Sequence, residues 1–287
     1  MPERPDRIEA CLEAIDASDL SYTKVEPQPA SPQDLARVHS REYLQRLSDL
    51  CEGGGGWLDP DTPATPGSFE VAARAAGACC KAVDMALADG AQSFCLTRPP
   101  GHHASADQAM GFCLINSVAV GAGRALDKGA DRVLILDFDV HHGNGTQEIF
   151  WTDPNVFYLS VHQWPWYPWT TGSAEETGGG AGEGANMNIP MPAGSTDADY
   201  QRAFEEAVVP AAHKFSPDLL LVSAGFDAHA ADPLSEQQVS SDGFHSMART
   251  IRSLADQVCQ GRLVIVLEGG YNRAALAQSV VATLSAL

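Results

Sequence analysis

Five short apolar runs punctuate the chain, at residues 93–97, 132–137, 156–161, 219–223 and 263–267. Four are rich in Val, Ile or Leu and lack the strict alternation of a strand with one wet face. That pattern predicts parallel strands covered on both sides. Helical spacing of apolar positions marks residues 69–88 behind a Ser68 cap, 117–128, 198–214, 243–260, and 274 to the end. An early helical region stops at the glycines 53–56, and the Pro-rich stretch 59–66 is expected to be neither helix nor central strand. A further strand is expected at 186–190, after a Gly-rich loop at 178–184. Strand alternating with helix predicts one doubly wound α/β domain over residues 1–287, a mostly parallel sheet with helices on both faces.

The chemically unusual residues collect where those strands end. Arg98-Pro-Pro-Gly-His102-His103 follows the first run, Asp137-Phe-Asp139-Val-His141-His142 closes the second, and Ser160-Val161-His162 closes the third. Ala224-Gly-Phe-Asp227 follows the fourth and Glu268-Gly-Gly-Tyr271 the fifth. Open α/β sheets bind ligands at the carboxyl ends of their strands, so five coincidences there predict one active site.

Asp139 and His141 stand two apart on extended chain and share a face. With Asp227 from another strand end they make three N/O ligands, the pattern of a catalytic zinc with an open position. Iron(II) would accept the same set. Asp137 shares that face and can orient a nearby imidazole. Asn144, in the tight turn Gly143-Asn144-Gly145-Thr146, can accept from a histidine N–H. His102 and His103 follow a rigid Pro-Pro-Gly lead-in. One imidazole can take a proton from water while the other stabilises charge or protonates a leaving amine. Tyr271, behind two glycines, can donate to a developing oxyanion. Gly111-Phe112-Cys113 and the segment from Trp164 to Trp169 bring aromatics to strand-end loops. They suggest a narrow apolar tunnel, although Trp164, Trp166 and Trp169 suit a partner contact equally well.

Composition narrows the function. The chain has 18 Lys and Arg against 37 Asp and Glu, a formal net charge of −19. That balance excludes direct nucleic-acid binding and favours cationic substrates over anionic membranes. No apolar run reaches the length of a membrane-spanning helix, and the charged start Met1–Arg7 has no secretory apolar core. Seven scattered cysteines without a CxxC pair exclude thiolate zinc and point to a reducing cytoplasm.

These segments resemble the zinc-dependent histone deacetylase family and its bacterial amidohydrolase members, of the arginase–deacetylase fold. Matching stretches run in the family's order over nearly the whole chain. They are Pro2-Glu-Arg-Pro-Asp-Arg7, His39-Ser-Arg-Glu-Tyr43, Arg98 to His103, Gly111 to Cys113, Asp137 to Thr146, Ala224 to Asp227 and Leu267 to Tyr271. The resemblance implies zinc on Asp139, His141 and Asp227. It implies His102 paired with Asp137, and His103, the general base and acid, paired with Asn144. Tyr271 would polarise the scissile carbonyl, Phe112 and Tyr167 would flank an acyl-lysine tunnel, and the Gly111 carbonyl would accept the substrate N–H. Asp61 matches a rim acid that grips the substrate backbone. A structural potassium ion would lie on Asp137, Asp139, His141, Ser160 and Val161, and Asn144 looks like the class II branch.

Met1 stands where the family usually has a His, so its N-terminal strand and loop are expected to be missing here. Leu234 occupies a rim position that is acidic in the polyamine-preferring branch. The expected function is therefore a zinc deacylase acting on an Nε-acetyl-lysine protein or a similar straight-chain acylated amine. The alternatives are an acetylpolyamine or other small-amide hydrolase and a catalytically silent acyl-lysine binding module. A dimanganese ureohydrolase is disfavoured, because Gly143 and His229 stand where a second metal wants acids. An oligomer is compatible with the sequence.

Overall fold

The computed structural model describes all 287 residues, Met1–Leu287. In chain order the elements begin with helices α1 (Asp6–Asp16), α2 (Pro32–Leu35) and α3 (Arg41–Glu52). A hairpin of β1 (Gly56–Asp59) and β2 (Thr62–Ala64) follows, then α4 (Ser68–Asp89), β3 (Ser93–Cys95), α5 (Ser117–Asp127) and β4 (Val133–Asp137). Next come α6 (Asn144–Phe150), β5 (Val156–Gln163), β6 (Asn186–Met191), α7 (Asp197–Ala203), α8 (Val209–Phe215) and β7 (Leu219–Ala224). The chain closes with α9 (Ser241–Cys259), β8 (Leu263–Leu267) and α10 (Arg273–Leu284). No helix is long and apolar enough to cross a membrane.

Six strands form one sheet in the order β3-β8-β7-β4-β5-β6, and every pairing in it is parallel. Successive side chains point to opposite faces, so each apolar strand serves two cores. Val133 and Ile135 of β4 join one core with α4 and α5. Leu134 and Leu136 join the other with α7, α9 and α10. This double coverage explains why the strands read as unbroken apolar runs.

Strand order reverses between β4 and β7. From β4 the chain crosses through α6, which packs on the first core, and moves out to β5. From β7 it crosses through α9, on the opposite core, towards β8. The two loops therefore part above the sheet and leave a crevice at the carboxyl ends of β4 and β7, the topological switch point.

Several expectations shift in detail. Ser68 does not cap α4: Gly67 holds the N-cap, and the Ser68 hydroxyl turns back to accept from the Thr65 N–H at 2.9 Å. The single helix expected at 198–214 is α7 and α8 joined by a π-turn at Phe204–Val208. That wide turn precedes Pro210, whose ring and missing N–H do not fit a regular α-helix. The Pro-rich stretch folds as the β1–β2 hairpin, with Pro63 on a two-stranded sheet that has only edges. Strand β5 continues to Gln163 because Val161, His162 and Gln163 pair with Ile189, Pro190 and Met191 of β6.

Ile135, fully buried in β4, tests the central strand. Ile135→Ala should lower stability to urea by about 2–5 kcal/mol, and a loss below about 1 kcal/mol would contradict this packing.

Candidate active site

Beyond β4 the backbone does not stay extended as expected but bends through Asp139, Val140 and His141. Phe138 and Val140 turn into the core, and Asp139 and His141 turn into the crevice. Asp227 comes from the loop after β7. His141 Nδ1 lies 3.1 Å from Asp139 Oδ1 and 3.0 Å from Asp227 Oδ2. A ring nitrogen carries at most one hydrogen, so it cannot satisfy two carboxylates at full strength. The three donor atoms lie within 4.8 Å of one another. Two of the separations approach the roughly 3.3 Å edge of a tetrahedron with 2.0 Å arms, the shape of a zinc site. The donor set therefore fits a divalent ion.

Charge supports that fit. Asp137, Asp139, Asp227 and Glu268 are all fully buried. Their side chains face no Lys or Arg; the ion-pair partners they have are His102 and His141. Burial and the neighbouring Asp139 push the Asp227 carboxyl up to about 7. Burial alone would lower His141, but Asp139 and Asp227 outweigh it and raise the imidazole to about 10. The pocket is short of positive charge at the point where the three donors converge.

The paired histidines sit beside this point, their rings 4.1 Å apart. His102 Nδ1 lies 3.0 Å from Asp137 Oδ2, and the Tyr158 hydroxyl donates to the same oxygen at 2.9 Å. His103 Nδ1 instead lies 2.7 Å from the amide oxygen of Asn144. The two rings consequently differ. Burial opposes charge on His102, yet Asp139 and Asp137 carry it up to about 10. Burial and the cationic His102 and His141 press His103 well below its ordinary value. Gly143 makes room for this arrangement: a Cβ there would stand 2.3 Å from Asp137 Oδ2 and 2.5 Å from the Tyr158 hydroxyl.

Aromatic rings wall the site on two sides. Tyr167 packs edge-on against His103 and His141, with centroids 5.1 and 5.9 Å apart. Phe112, in the left-handed region at φ 68°, packs edge-on against Tyr271 at 5.7 Å. The Gly111 carbonyl accepts from the Cys113 thiol at 3.3 Å. Asp61 reaches the wall through Thr62, whose hydroxyl donates to Asp61 at 2.8 Å and accepts from Phe112 N–H at 3.0 Å. Leu234 meets the Trp-rich segment, because its carbonyl accepts from the Trp166 indole at 3.1 Å. Trp169 lies tilted against Trp166, centroids 5.5 Å apart, and is 60% exposed. Of that segment, Tyr167 is the ring that reaches the histidines. Ser160 lies opposite Asp137 in the β4–β5 register, its hydroxyl 2.8 Å from His162 Nδ1, and Val161 follows it on β5.

Four supporting residues went unassigned in the sequence. Arg7 is 1% exposed; it donates to the carbonyls of Gly270 and Glu268 at 2.7 and 2.6 Å, and its guanidinium lies 4.9 Å over the Tyr271 ring. Asp232 accepts from the N–H groups of Tyr271 and Asn272 at 2.6 and 3.1 Å. Tyr158 and Glu268 complete the set. Their partners lie far away in the chain, so no local motif marks them. The family-matching strings PERPDR and EGGY do contain Arg7 and Glu268, and that was the available signal.

A model of the histone deacetylase domain matches residues 1–287. A histone deacetylase-like amidohydrolase of Pseudomonas aeruginosa is 43% identical over 276 residues, 95% of this chain and 72% of the relative. A probable deacetylase of Methanothermobacter thermautotrophicus is 45% identical over 288 residues, 99% of this chain and 85% of that one. The crystal structure of an HDA15 HD domain superimposes with a TM-score of 0.93 at 38% identity, covering 99% of this chain and 81% of that domain. The sheet is that of the arginase–deacetylase fold, and the chain belongs to the histone deacetylase family.

Proposed function

We propose that the protein is a zinc-dependent deacylase that hydrolyses the amide of Nε-acetyl-lysine or a similar straight-chain acylated amine, with residues 1–287 acting as one catalytic domain. The observation that carries this reading is the convergence of His141 Nδ1 with two buried carboxylates, at 3.1 and 3.0 Å, beside a histidine pair with unlike partners. Asp139, His141 and Asp227 would hold the zinc. The ion supplies Lewis acidity to the acyl carbonyl and to water.

This chain's own groups do the rest. Asn144 can only accept at Oδ1, so it fixes the hydrogen of His103 on Nδ1 and leaves Nε2 as a base. His103 Nε2 takes the proton of attacking water and returns it to the leaving amine. His102, charged by Asp137, stabilises the negative charge that develops. An acid partner on one ring and an amide on the other thus divide two chemically identical side chains into a cation and a base. Tyr271 donates its phenol hydrogen to the carbonyl oxygen. Phe112 and Tyr167 exclude water around the acyl-lysine stem, the Gly111 carbonyl takes the substrate N–H, and Asp61 grips the substrate backbone. Asp137, Asp139, His141, Ser160 and Val161 would hold a monovalent cation, which would offset the remaining buried negative charge.

A second reading, hydrolysis of a small acetylated polyamine, draws support from the net charge of −19. The apolar Leu234 at the rim favours the peptide. Relative kcat/KM on an acetyl-lysine peptide and an acetylated diamine separates them, and the peptide is expected to be preferred.

Two outcomes are expected with zinc-reconstituted protein and a fluorogenic acetyl-lysine peptide. A hydroxamate chelator should abolish turnover. Tyr271→Phe should lower kcat about 100-fold or more, with KM little changed. Chelator-resistant turnover, or a Tyr271→Phe enzyme at wild-type rate, would remove the basis of this mechanism.

A further inference from the structure

Glu268 has no part in the chemistry above, yet it is fully buried and its carboxyl pairs with no Lys or Arg. Burying a carboxyl is costly unless its oxygens are well partnered. Here both are. Oε2 accepts from the backbone N–H of Gly101 at 2.6 Å and of His102 at 3.2 Å. Oε1 accepts from the Ser223 hydroxyl, at the end of β7, at 3.1 Å.

The donors are the informative part. Gly101 and His102 belong to the loop that carries the histidine pair. The His102 carbonyl is held from the other side by the Thr146 N–H at 3.1 Å. Without Glu268, the amide side of that loop would face buried space with two unsatisfied N–H groups. The same residue begins the turn to Tyr271, so one side chain ties the loop of the base to the loop of the phenol. His102, Cys113 and Glu268 also bring donor atoms within 4.8 Å of one another. That trio is not a second metal centre. The Cys113 thiol is engaged with the Gly111 carbonyl, and both Glu268 oxygens with the groups just named.

We propose that Glu268 is the positioning residue for the His102–His103 pair, and that what it supplies is acceptor geometry rather than charge. The inference rests on the deacylase reading for its kinetic consequence and on the hydrogen bonds alone for its structural one. Gln can reproduce the bracket: its Oε1 takes the Gly101 and His102 N–H groups, and its amide donates to the Ser223 hydroxyl. Asp, one methylene shorter, cannot reach.

The test compares Glu268→Gln, Glu268→Asp and Glu268→Ala with wild type in two measurements: steady-state kinetics on the acetyl-lysine peptide, and hydrogen–deuterium exchange over residues 101–103. Glu268→Gln should keep kcat within about threefold and keep exchange slow. Glu268→Asp and Glu268→Ala should lose roughly 10–100-fold in kcat, as expected for a small misplacement of catalytic groups, with KM within about twofold. Their exchange at 101–103 should quicken while residues 133–137 stay protected. A merely structural residue would lower the melting temperature and leave kcat per folded molecule unchanged. Wild-type kcat in folded Glu268→Ala, or a folded Glu268→Gln as impaired as Ala, overturns the proposal. Should Ala and Asp fail to fold, the Gln variant decides by the same two readings. Wild type without turnover would defeat the deacylase reading instead, and the exchange arm would still report the bracket.

Discussion

Buried carboxyls at the ends of parallel strands, with no lysine or arginine opposite them, govern this structure. Each one accepts hydrogen bonds from the backbone of a loop that it does not belong to, or that it has just begun. Asp139 Oδ2 takes the Gly269 N–H at 2.8 Å, Asp227 Oδ1 takes the Val140 N–H at 3.1 Å, and Glu268 takes those of Gly101 and His102. Asp232 takes those of Tyr271 and Asn272. Loops from β3, β4, β7 and β8 are thereby locked to one another. Gly269 shows how tightly: a Cβ there would stand 2.1 Å from Asp227 Oδ2 and 2.6 Å from Asp139 Oδ2. The brackets position the site, and the negative charge left over from making them calls for a cation.

The fold and the chemistry are therefore hard to separate. A doubly wound sheet parts its loops at the switch point, and β4 and β7, the strands that flank it, carry Asp139, His141 and Asp227. The neighbouring strand β8 carries Tyr271, and β3, at the sheet's edge, carries the histidine pair. Nothing in the apolar strands is special to a deacylase. The specificity of the site lies in which residues the sheet delivers to its carboxyl edge, and in the unlike partners, Asp137 and Asn144, that meet two adjacent imidazoles.

Much of this was legible in the sequence because its periodicities are local. The apolar runs of β4, β7 and β8 reveal a sheet covered on both faces, and the two-residue spacing of Asp139 and His141 reveals a shared face. The contacts that escaped notice are long-range: Arg7 reaches Gly270 across 263 positions, and Glu268 reaches Gly101 across 167. Their acceptors and donors are backbone groups, which leave no mark in a sequence. Tyr158 reads as an ordinary strand residue, since its role comes from a hydroxyl that meets Asp137 only when β4 and β5 lie side by side. The π-turn before Pro210 interrupts a helix expected to run unbroken, and the hairpin around Pro63 forms in a stretch expected to be neither helix nor central strand.

The central claim is that the charge deficit among Asp139, His141 and Asp227 is a divalent-metal site. Calorimetric titration of zinc into metal-free protein, with Asp227→Ala alongside, tests it most directly. The account predicts a single zinc per chain bound by the wild type, with a rise in melting temperature, and binding lost in the folded variant. Folded wild-type protein that takes up no zinc, or an Asp227→Ala variant that binds it undiminished, would contradict the account.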